Sequence, residues 1–522
     1  MRIPRALGAL TLLISTMTLY AADQVRVSGG LLEGTPGSRP GIRAFLGIPY
    51  AAPPVGPMRW KAPQPAAKWS GVRPANHFGN RCVQTTPFPD MVFQSPAESE
   101  DCLYLSVWTP AKSATERLPV MVWIHGGGYF SGSGDETRHN GSFLASKGVV
   151  LVTINYRLGV LGFLAHPELT AESPHKASGN YAMLDQIEAL KWVRDNIAAF
   201  GGDPGKVTIF GESAGSFAVS GLMASPLANG LFHRVIGESG AHFSAPGGSL
   251  AVTPLSLAEK AGTEFATSVG AKSFAELRAL PAASFAKVMA KNPTQFSLVV
   301  DGYALTADPW DVFAQGRQSH VPLLAGWNSA ESKNMIPSAT TSAALEAQLR
   351  KQFPGNEDAA LKAYPIGKDD RQTLLSGVAL ASDNFIAYCT WKWLQVHTAT
   401  GKAPVYRYLF DHIIPTATGD APANDPGAGH ATDIEFVFST LDTKKLAWRD
   451  SDRKVAELIT SYWTNFAKNG NPNGPGLPQW PAWDAKGRQL LRLNASPHAE
   501  NETNRTRYEL QDALTMKLRG KM

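Results

Sequence analysis

One pattern recurs along the middle of this chain: a short apolar run, a turn, and then a stretch with helical spacing. Residues 120–124 and 207–210 are apolar runs followed by glycines, and residues 149–154 form a third run. Because the runs are continuously apolar and do not alternate with polar residues, they fit parallel strands buried on both faces. Strands that alternate with helices predict a mostly parallel central sheet with right-handed crossovers, which is an α/β fold.

The same pattern continues along the chain. Residues 184–200 carry apolar side chains at helical spacing, and further strands are predicted at 321–325 and 405–410. No segment resembles a linker between domains, and the Pro/Gly-rich stretches at 244–248 and 422–429 are expected to be surface excursions. We therefore predict a single large domain in which helices flank the sheet.

Composition and charge exclude several classes of protein. The 522-residue chain is 43% hydrophobic and 18% charged, which is ordinary for a globular protein. Its formal net charge is +5 and its Lys and Arg residues are scattered, so we expect no nucleic-acid partner. The three cysteines form no CxxC motif and there is no HExxH motif, so no metal site is expected. Cys389 lies in an apolar run and is expected to be an inert core thiol.

The N-terminus has the pattern of an export signal. Two arginines precede an uncharged apolar stretch at 6–19, and the small residue Ala21 follows at a plausible cleavage point. The stretch is shorter than the roughly 20 apolar residues of a membrane span. We predict a signal peptide over 1–21, with an uncleaved membrane anchor as the alternative. The mature chain, 22–522, is then expected to be periplasmic or secreted, with no stable membrane insertion. The sequence leaves its oligomeric state open.

A candidate nucleophile lies directly after one of the predicted strands. Residues 211–215 read Gly-Glu-Ser-Ala-Gly, which matches the pattern G-x-S-x-G. Strand 207–210 leads into this pentapeptide and helix-compatible residues follow it. A sharp turn of this kind projects the hydroxyl of Ser213 above the sheet edge, and its glycines allow neighbouring elements to approach closely. A helix N-cap serine is the plain alternative, but the setting favours a nucleophile.

A glycine cluster follows the predicted strand 120–124. Residues 125–128 read His-Gly-Gly-Gly, and such a loop turns backbone N–H groups toward a substrate with no side chain in the way. Together with the N–H of Ala214, after the candidate nucleophile, it predicts an oxyanion hole. Each donor aimed at a tetrahedral oxyanion lowers the barrier by about 3–4 kcal/mol. A flexible glycine turn is the alternative. His125 is expected to shape the loop, not to transfer protons.

Two longer segments resemble the signatures of the type-B carboxylesterase/cholinesterase family. Residues 200–215 are similar to the family's nucleophile signature along their whole length, and residues 100–107 are similar to its second signature. The resemblance extends from about residue 47 to residue 466, nearly the whole predicted mature chain. It implies an α/β-hydrolase fold and a serine carboxylic-ester hydrolase that resembles the bacterial para-nitrobenzyl-esterase-like members. Its partner is then a small-molecule ester, and no metal or organic cofactor is required.

The resemblance also assigns individual residues. It implies Ser213 as the nucleophile and Gly127, Gly128 and Ala214 as the oxyanion donors. It implies a disulfide in the N-terminal third of the chain and two structural ion pairs. The disulfide joins Cys82 to Cys102, and the ion pairs are Arg59 with Glu100 and Arg157 with Asp185.

A serine nucleophile needs a histidine base, and in this fold the chain order is serine, acid, histidine. On local grounds both His412, just after strand 405–410, and His430, in a loop of small residues, are candidates. Residues 429–438 resemble the family's catalytic-histidine segment. The resemblance therefore implies His430 as the base.

The acid that orients the base is assigned in the same way. Residues 326–332, after strand 321–325, are similar to the family's G-x-N-x-x-E-G segment, which implies Glu331. Ser332 departs from this segment, because the family usually has glycine at that position. The alternative acids are Asp301 and Asp308.

The substrate is less constrained. Cholinesterase members bind a quaternary ammonium group with a tryptophan in the disulfide loop, and residues 83–101 contain none, which argues against choline esters. We expect aryl or short-to-medium acyl esters. The alternatives are a specialised ester, such as a plasticiser diester, a carbamate or a natural-product ester, and a cholinesterase-like binding protein without activity. Five aromatic residues are candidates for lining the pocket or for packing alone: Phe88, Phe93, Tyr129, Phe130 and Trp327.

Overall fold

The computed structural model describes residues 24–85, 88–292, 295–336, 341–367, 369–484 and 488–520. The predicted signal peptide, residues 1–21, lies outside the described residues. Within these ranges, no helix combines the length and the apolar character needed to cross a membrane.

A central sheet of eleven strands organises the described part of the chain. In chain order, its strands are β1 (Thr35–Pro36), β2 (Arg43–Pro49), β3 (Tyr104–Thr109), β4 (Leu118–Ile124), β5 (Val150–Ile154), β6 (Gly202–Glu212), β7 (Arg234–Glu238), β8 (Leu323–Asn328), β9 (Val405–Phe410), β10 (Gln489–Leu493) and β11 (His498–Asn501). Across the sheet their order is β11-β10-β9-β8-β7-β6-β4-β5-β3-β2-β1. The strands from β4 to β10 are mutually parallel, and only the two edges of the sheet are antiparallel. The predicted mostly parallel sheet is confirmed.

Helices cover both faces of this sheet. They are α1 (Ser142–Ser146), α2 (Gly159–Phe163), α3 (Pro167–Glu172), α4 (Tyr181–Asn196), α5 (Ala214–Ala224), α6 (Leu255–Ser268), α7 (Phe274–Ala279), α8 (Ala283–Met289), α9 (Pro309–Ala314), α10 (Ser342–Gln352), α11 (Glu357–Ala363), α12 (Asp370–Ser382), α13 (Tyr388–Thr400), α14 (Ile434–Phe438), α15 (Asp450–Asn469) and α16 (Arg505–Leu518). A π-helical segment, Asp383–Ala387, joins α12 to α13.

The core lies in two layers, one on each face of the sheet. Along β4, Val120, Val122 and Ile124 belong to the layer that includes α4, α5 and α13. The intervening Met121 and Trp123 belong to the layer that includes α1, α14 and α15. Burial on both faces explains why this run is continuously apolar.

The predicted elements differ from the observed ones mainly at their ends. The strand predicted at 207–210 is the last part of a longer strand, β6. The helix predicted at 184–200 begins three residues earlier and ends in a 3-10 turn, Ile197–Phe200. The prediction that residues 422–429 lie at the surface is wrong for the last three, which are buried. They pack against the loop after β8, and this contact was not visible in local composition.

The covalent and ionic links implied by the resemblance are present. Cys82 and Cys102 form a disulfide, and Cys389 is buried with a free thiol. Burial raises the pKa of the Cys389 thiol to about 11, which keeps it protonated and unreactive. The two ion pairs join Arg59 Nε to Glu100 Oε1 at 2.6 Å and Arg157 Nε to Asp185 Oδ2 at 2.7 Å.

Candidate active site

Ser213 occupies the turn between β6 and α5. Its backbone has φ 54° and ψ −124°, a conformation that costs a non-glycine residue about 1–3 kcal/mol. Two main-chain hydrogen bonds hold it: Ser213 N donates to Glu238 O at 2.8 Å, and Phe217 N donates to Ser213 O at 3.0 Å. The neighbouring strand β7 and the first turn of α5 therefore fix the strained residue.

The two glycines of the pentapeptide are required by close backbone approach. A Cβ atom at Gly215 would lie 2.0 Å from the carbonyl oxygen of Ile124, and one at Gly211 would lie 2.5 Å from the same oxygen. The end of β4 thus touches both sides of the turn that carries Ser213. This contact explains the G-x-S-x-G spacing, because any side chain at either position would push β4 away.

The three side chains implied by the resemblance form one hydrogen-bonded row. His430 Nε2 lies 3.0 Å from Ser213 Oγ, and His430 Nδ1 lies 2.6 Å from Glu331 Oε2. The other carboxylate oxygen of Glu331 accepts hydrogen bonds from Ser239 Oγ at 2.6 Å and from the backbone N–H of Asn328 at 2.7 Å. A carboxylate at Nδ1 favours the tautomer with hydrogen on that nitrogen, which leaves Nε2 free to accept the serine proton.

Direct hydrogen bonds hold the loop of His430 against the loop after β8. Ala330 N donates to Ala428 O at 2.8 Å. Lys333 Nζ donates to Gly427 O at 2.7 Å. The histidine and its carboxylate partner are therefore carried by two loops that behave as one structural unit.

The alternative base and acids have other partners. His412 Nε2 lies 2.6 Å from Asp452 Oδ1, so this histidine is paired with a residue of α15. Asp301 Oδ1 accepts the backbone N–H groups of two residues in its own turn. Asp308 caps α9 by accepting the N–H of Trp310 at 2.8 Å. All three have structural roles away from the row that contains Ser213.

The glycine loop runs beside the hydroxyl of Ser213. A Cβ atom at Gly126 would lie 3.2 Å from the Cβ of Ser213. Gly127 and Gly128 have φ values of 99° and 64°, in the region that glycine adopts most easily. Among the hydrogen bonds of the described residues, none uses the N–H of Gly127, Gly128 or Ala214. These three N–H groups are therefore without a hydrogen-bond acceptor in the part of the chain that the structure describes.

His125, before the glycines, supports the loop. Its ring stacks on that of Tyr156 at 4.4 Å, and its Nδ1 lies 2.9 Å from Gly126 O. The hydroxyl of Tyr156 donates to His125 O at 2.6 Å. Burial lowers the pKa of His125 to about 4, so the ring is neutral at ordinary pH. These contacts fit the predicted role in loop shape.

A buried carboxyl group that the sequence analysis did not single out lies beside His430. Glu212 Oε1 is 3.4 Å from His430 Nε2. Burial raises the pKa of Glu212 to about 8, against the opposite effect of His430. Burial by itself lowers the pKa of His430, but the carboxyl groups of Glu212 and Glu331 raise it to about 9. The sequence signal that could have identified Glu212 is its position directly before Ser213.

Two more buried carboxyl groups surround the same region. Burial raises the pKa of Glu238 well above its ordinary value, and Trp463 Nε1 donates to its Oε1 at 2.7 Å. Burial, with the nearby charge of Glu331, raises the pKa of Asp433 to about 6, while Asn328 Nδ2 donates to its Oδ1 at 3.1 Å. The charge of Asp433 thus adds to those of Glu212 and Glu331 in raising the pKa of His430.

The five candidate aromatic residues divide into two groups. Phe130 adjoins the glycine loop and stacks on Phe88 at 6.0 Å, and Phe88 is 38% exposed. The others pack elsewhere: Phe93 lies under the guanidinium of Arg81, Tyr129 is buried against Phe163, and Trp327 is buried against the guanidinium of Arg407.

Two further apolar side chains near the site were missed. The Phe385 ring lies 5.0 Å from the His430 ring, and it comes from the π-helical segment between α12 and α13. The terminal carbon of Met91 would lie 3.1 Å from a Cβ at Gly127. Both residues reach the site from chain segments far from the motifs, so no local pattern could identify them.

Comparison with known proteins agrees with this geometry. The model of the Carboxylesterase family matches residues 21–511. The chain is 36% identical to para-nitrobenzyl esterase of Bacillus subtilis (strain 168), over 91% of this chain and 95% of that protein. It is 36% identical to cocaine esterase of Homo sapiens, over 94% and 91% of the two chains. It is 34% identical to fumonisin B1 esterase of Sphingopyxis macrogoltabida, over 92% and 88%.

The electrostatics of His430 predict how pH controls the reactivity of Ser213. Only a neutral imidazole can take a proton, so we expect phosphonate modification of Ser213 to rise as pH increases through the raised pKa of His430. The variant Glu212→Gln removes a group that raises this pKa, so the rising limb should move to lower pH. The measurement is the second-order rate constant of modification against pH, with Glu346→Gln, which replaces a partly exposed carboxylate paired with Arg350 on α10, as the control. A limb that stays in place, or moves to higher pH, would contradict this account.

Proposed function

Because this chain belongs to the carboxylesterase family and is a hydrolase of carboxylic esters, we propose that Ser213 is its nucleophile and forms an acyl-enzyme. We further propose His430 as the general base and Glu331 as the carboxylate that orients it. The observation that carries this assignment is the hydrogen-bonded row from Ser213 Oγ to His430 Nε2 at 3.0 Å and from His430 Nδ1 to Glu331 Oε2 at 2.6 Å. The architecture is that of an α/β hydrolase, and small-molecule esters are the substrates.

In the acylation step, Ser213 Oγ bonds to the ester carbonyl carbon while His430 Nε2 takes its proton. The carbonyl oxygen becomes negatively charged and accepts hydrogen bonds from the N–H groups of Gly127, Gly128 and Ala214. The imidazolium then returns the proton to the alcohol oxygen as the carbon–oxygen bond of the ester breaks. The alcohol departs and the acyl group remains on the serine.

Deacylation repeats these transfers with water. His430 takes a proton from the water as its oxygen attacks the acyl carbon, and then returns that proton to Ser213 Oγ as the acid leaves. Through both steps Glu331 remains ionised, accepts a hydrogen bond from the N–H at Nδ1 and stabilises the transient imidazolium. The His430 side chain is 21% exposed, so substrate and water can reach the ring.

Single substitutions separate these roles from structural ones. We expect Ser213→Ala and His430→Ala each to reduce kcat/KM for an uncharged para-nitrophenyl ester by at least about 10³-fold, because the members of such a triad act as a unit. His412→Ala is the matched control, since it removes a buried histidine that is paired with Asp452. It should retain turnover per folded molecule and react with a phosphonate. Full activity in Ser213→Ala, or loss of activity in His412→Ala alone, would overturn the assignment.

We propose that the preferred substrates are aryl or short-to-medium acyl esters without a charged alcohol. The side chains that support this are apolar: Met91 and Phe130 beside the glycine loop, Phe88 stacked on Phe130, and Phe385 against His430. The disulfide loop also lacks a tryptophan, the side chain best suited to a quaternary ammonium group.

A substrate panel tests this preference. Para-nitrophenyl esters from acetyl to octanoyl should show higher kcat/KM than choline esters of the same acyl length, because an apolar wall offers a cation little compensation for lost hydration. Choline esters that are hydrolysed faster would refute the preference. A far higher kcat/KM for a plasticiser diester, a carbamate or a natural-product ester would instead identify the chain as a specialised esterase.

We also propose that the protein is exported and that residues 1–21 are removed. The N-terminal sequence, in which two arginines precede an apolar stretch, supports export. The Cys82–Cys102 disulfide supports it as well, because disulfides persist in oxidising compartments. The mature protein would then be periplasmic or secreted.

The intact mass of the exported protein tests this proposal. We expect the mass of a chain that begins near Ala22, reduced by two hydrogens relative to the same chain with both thiols free. Reduction should lower the free energy of unfolding by about 3 kcal/mol, whereas a Cys82→Ala/Cys102→Ala variant should not respond to the reductant. A full-length chain recovered with membranes would instead support an uncleaved anchor.

A further inference from the structure

The proposed oxyanion hole is made from two different elements of the fold. Gly127 and Gly128 belong to the loop after β4, whereas Ala214 is the first residue of α5. Three donors stabilise one oxygen only if their separation is held constant. The contacts that join this loop to this helix are therefore relevant to catalysis.

Tyr129 follows Gly128 directly and is unusual in its backbone. It has φ 65°, a conformation that is uncommon for a bulky non-glycine residue and needs support from its surroundings. Its carbonyl oxygen accepts the N–H of Gly159 at 2.7 Å. Its ring packs on Phe163 at 4.9 Å and is only 1% exposed. The residue is thus an anchor for the C-terminal side of the glycine loop.

The hydroxyl of Tyr129 has one buried partner, His242 Nε2, at 3.2 Å. The other ring nitrogen, Nδ1, lies 3.0 Å from Leu250 O. Since a carbonyl oxygen can only accept, Nδ1 carries the hydrogen, and Nε2 accepts the hydrogen of the Tyr129 hydroxyl. Burial lowers the pKa of His242 to about 3 and raises the pKa of Tyr129 well above its ordinary value. Both side chains are therefore neutral, and the hydrogen bond runs from the Tyr129 hydroxyl to His242 Nε2.

His242 is in turn fixed to the helix that follows Ser213. Its backbone N–H donates to Ser220 Oγ at 3.1 Å. Its ring meets the ring of Phe217 edge-on at 5.2 Å. Both Ser220 and Phe217 belong to α5. A continuous series of contacts thus runs from the glycine loop through Tyr129 and His242 to the helix that begins at Ala214.

We propose that the hydrogen bond from Tyr129 to His242 is a positioning contact that holds the two halves of the oxyanion hole in register. The bond spans from the residue next to Gly128 to a histidine anchored on α5. It touches neither substrate nor reacting atoms, so Tyr129 and His242 are positioning residues. The inference rests on the proposed function, because it takes Gly127, Gly128 and Ala214 as the oxyanion donors.

The variants Tyr129→Phe and His242→Leu remove this bond from either side. We expect each to lower kcat for an uncharged aryl ester about 3- to 10-fold, the effect of misplacing donors by the loss of one buried hydrogen bond, with KM little changed. The double variant should lose no more kcat than the more impaired of the two single variants, since both changes delete the same interaction. His242→Gln offers an acceptor near the position of Nε2 and should recover part of kcat.

A transition-state analogue supplies a readout that overall stability does not move. An aryl trifluoromethyl ketone forms a tetrahedral adduct with a serine nucleophile, and its oxygen occupies the oxyanion hole. Its inhibition constant should rise in Tyr129→Phe by the same factor by which kcat/KM falls. Tyr462→Phe is the matched control, because it deletes a tyrosine hydroxyl that donates to the carbonyl of Pro478 at 2.6 Å on the far side of the sheet. It should change neither value.

The outcomes separate this inference from the proposed function. An unchanged kcat in Tyr129→Phe, single effects that multiply in the double variant, or a change confined to KM would each overturn the positioning role. If Ser213→Ala kept full turnover, the proposed function would fail as well. If Ser213→Ala were inactive while Tyr129→Phe behaved like Tyr462→Phe, only this inference would fail.

Discussion

The parallel pairing of β4, β6, β7 and β8 is the constraint on which the site depends. Adjacent parallel strands deliver their carboxyl ends to one edge of the sheet. At that edge β4 runs into the glycine loop, β6 into Ser213, β7 into Ser239 and β8 into the loop of Glu331. The carbonyl oxygen of Ile124 lies close to both glycines around Ser213, so the end of β4 packs directly against the turn that carries Ser213. Ser239 and Glu331, which are 92 positions apart, are thereby brought within hydrogen-bond distance.

This arrangement buries several carboxyl groups around one imidazole. Burial disfavours the charged form of Glu212 and Glu238, whereas Glu331 receives hydrogen bonds from Ser239, Asn328 and His430. The site therefore contains one well-hydrogen-bonded carboxylate among carboxyl groups whose pKa values burial raises. Such contrasts between neighbouring acids are typical of sites that move protons. The carboxyl groups also explain why the pKa of His430 is raised although burial by itself lowers it.

The glycine loop is held in shape by side chains at its two ends. Its own residues have little conformational preference, so its shape depends on the side chains at its two ends. His125 stacks on Tyr156 at one end, and Tyr129 is bonded to His242 at the other. Both histidines are neutral because burial lowers their pKa values, and each fixes the loop through hydrogen bonds to uncharged groups.

The fold class and the sharp turn around Ser213 can be read from the sequence alone. Continuous apolar runs specify strands buried on both faces, and the glycines around Ser213 reflect a local steric requirement, so both can be read from neighbouring residues. The choice of His430 over His412 was different, because local spacing left both open and the resemblance to a family was needed. Their partners, Glu331 for one and Asp452 for the other, are distant in sequence.

The side chains that surround Ser213 and His430 are set by packing between distant segments. Phe385 and Met91 reach the site from separate segments, while Trp327 lies close to Glu331 in sequence but turns into the core against Arg407. The Tyr129–His242 hydrogen bond joins residues 113 positions apart. Contacts of this kind depend on how strands and helices pack across the sheet. They cannot be predicted from the sequence, because the two partners of a packing contact share no local periodicity or spacing.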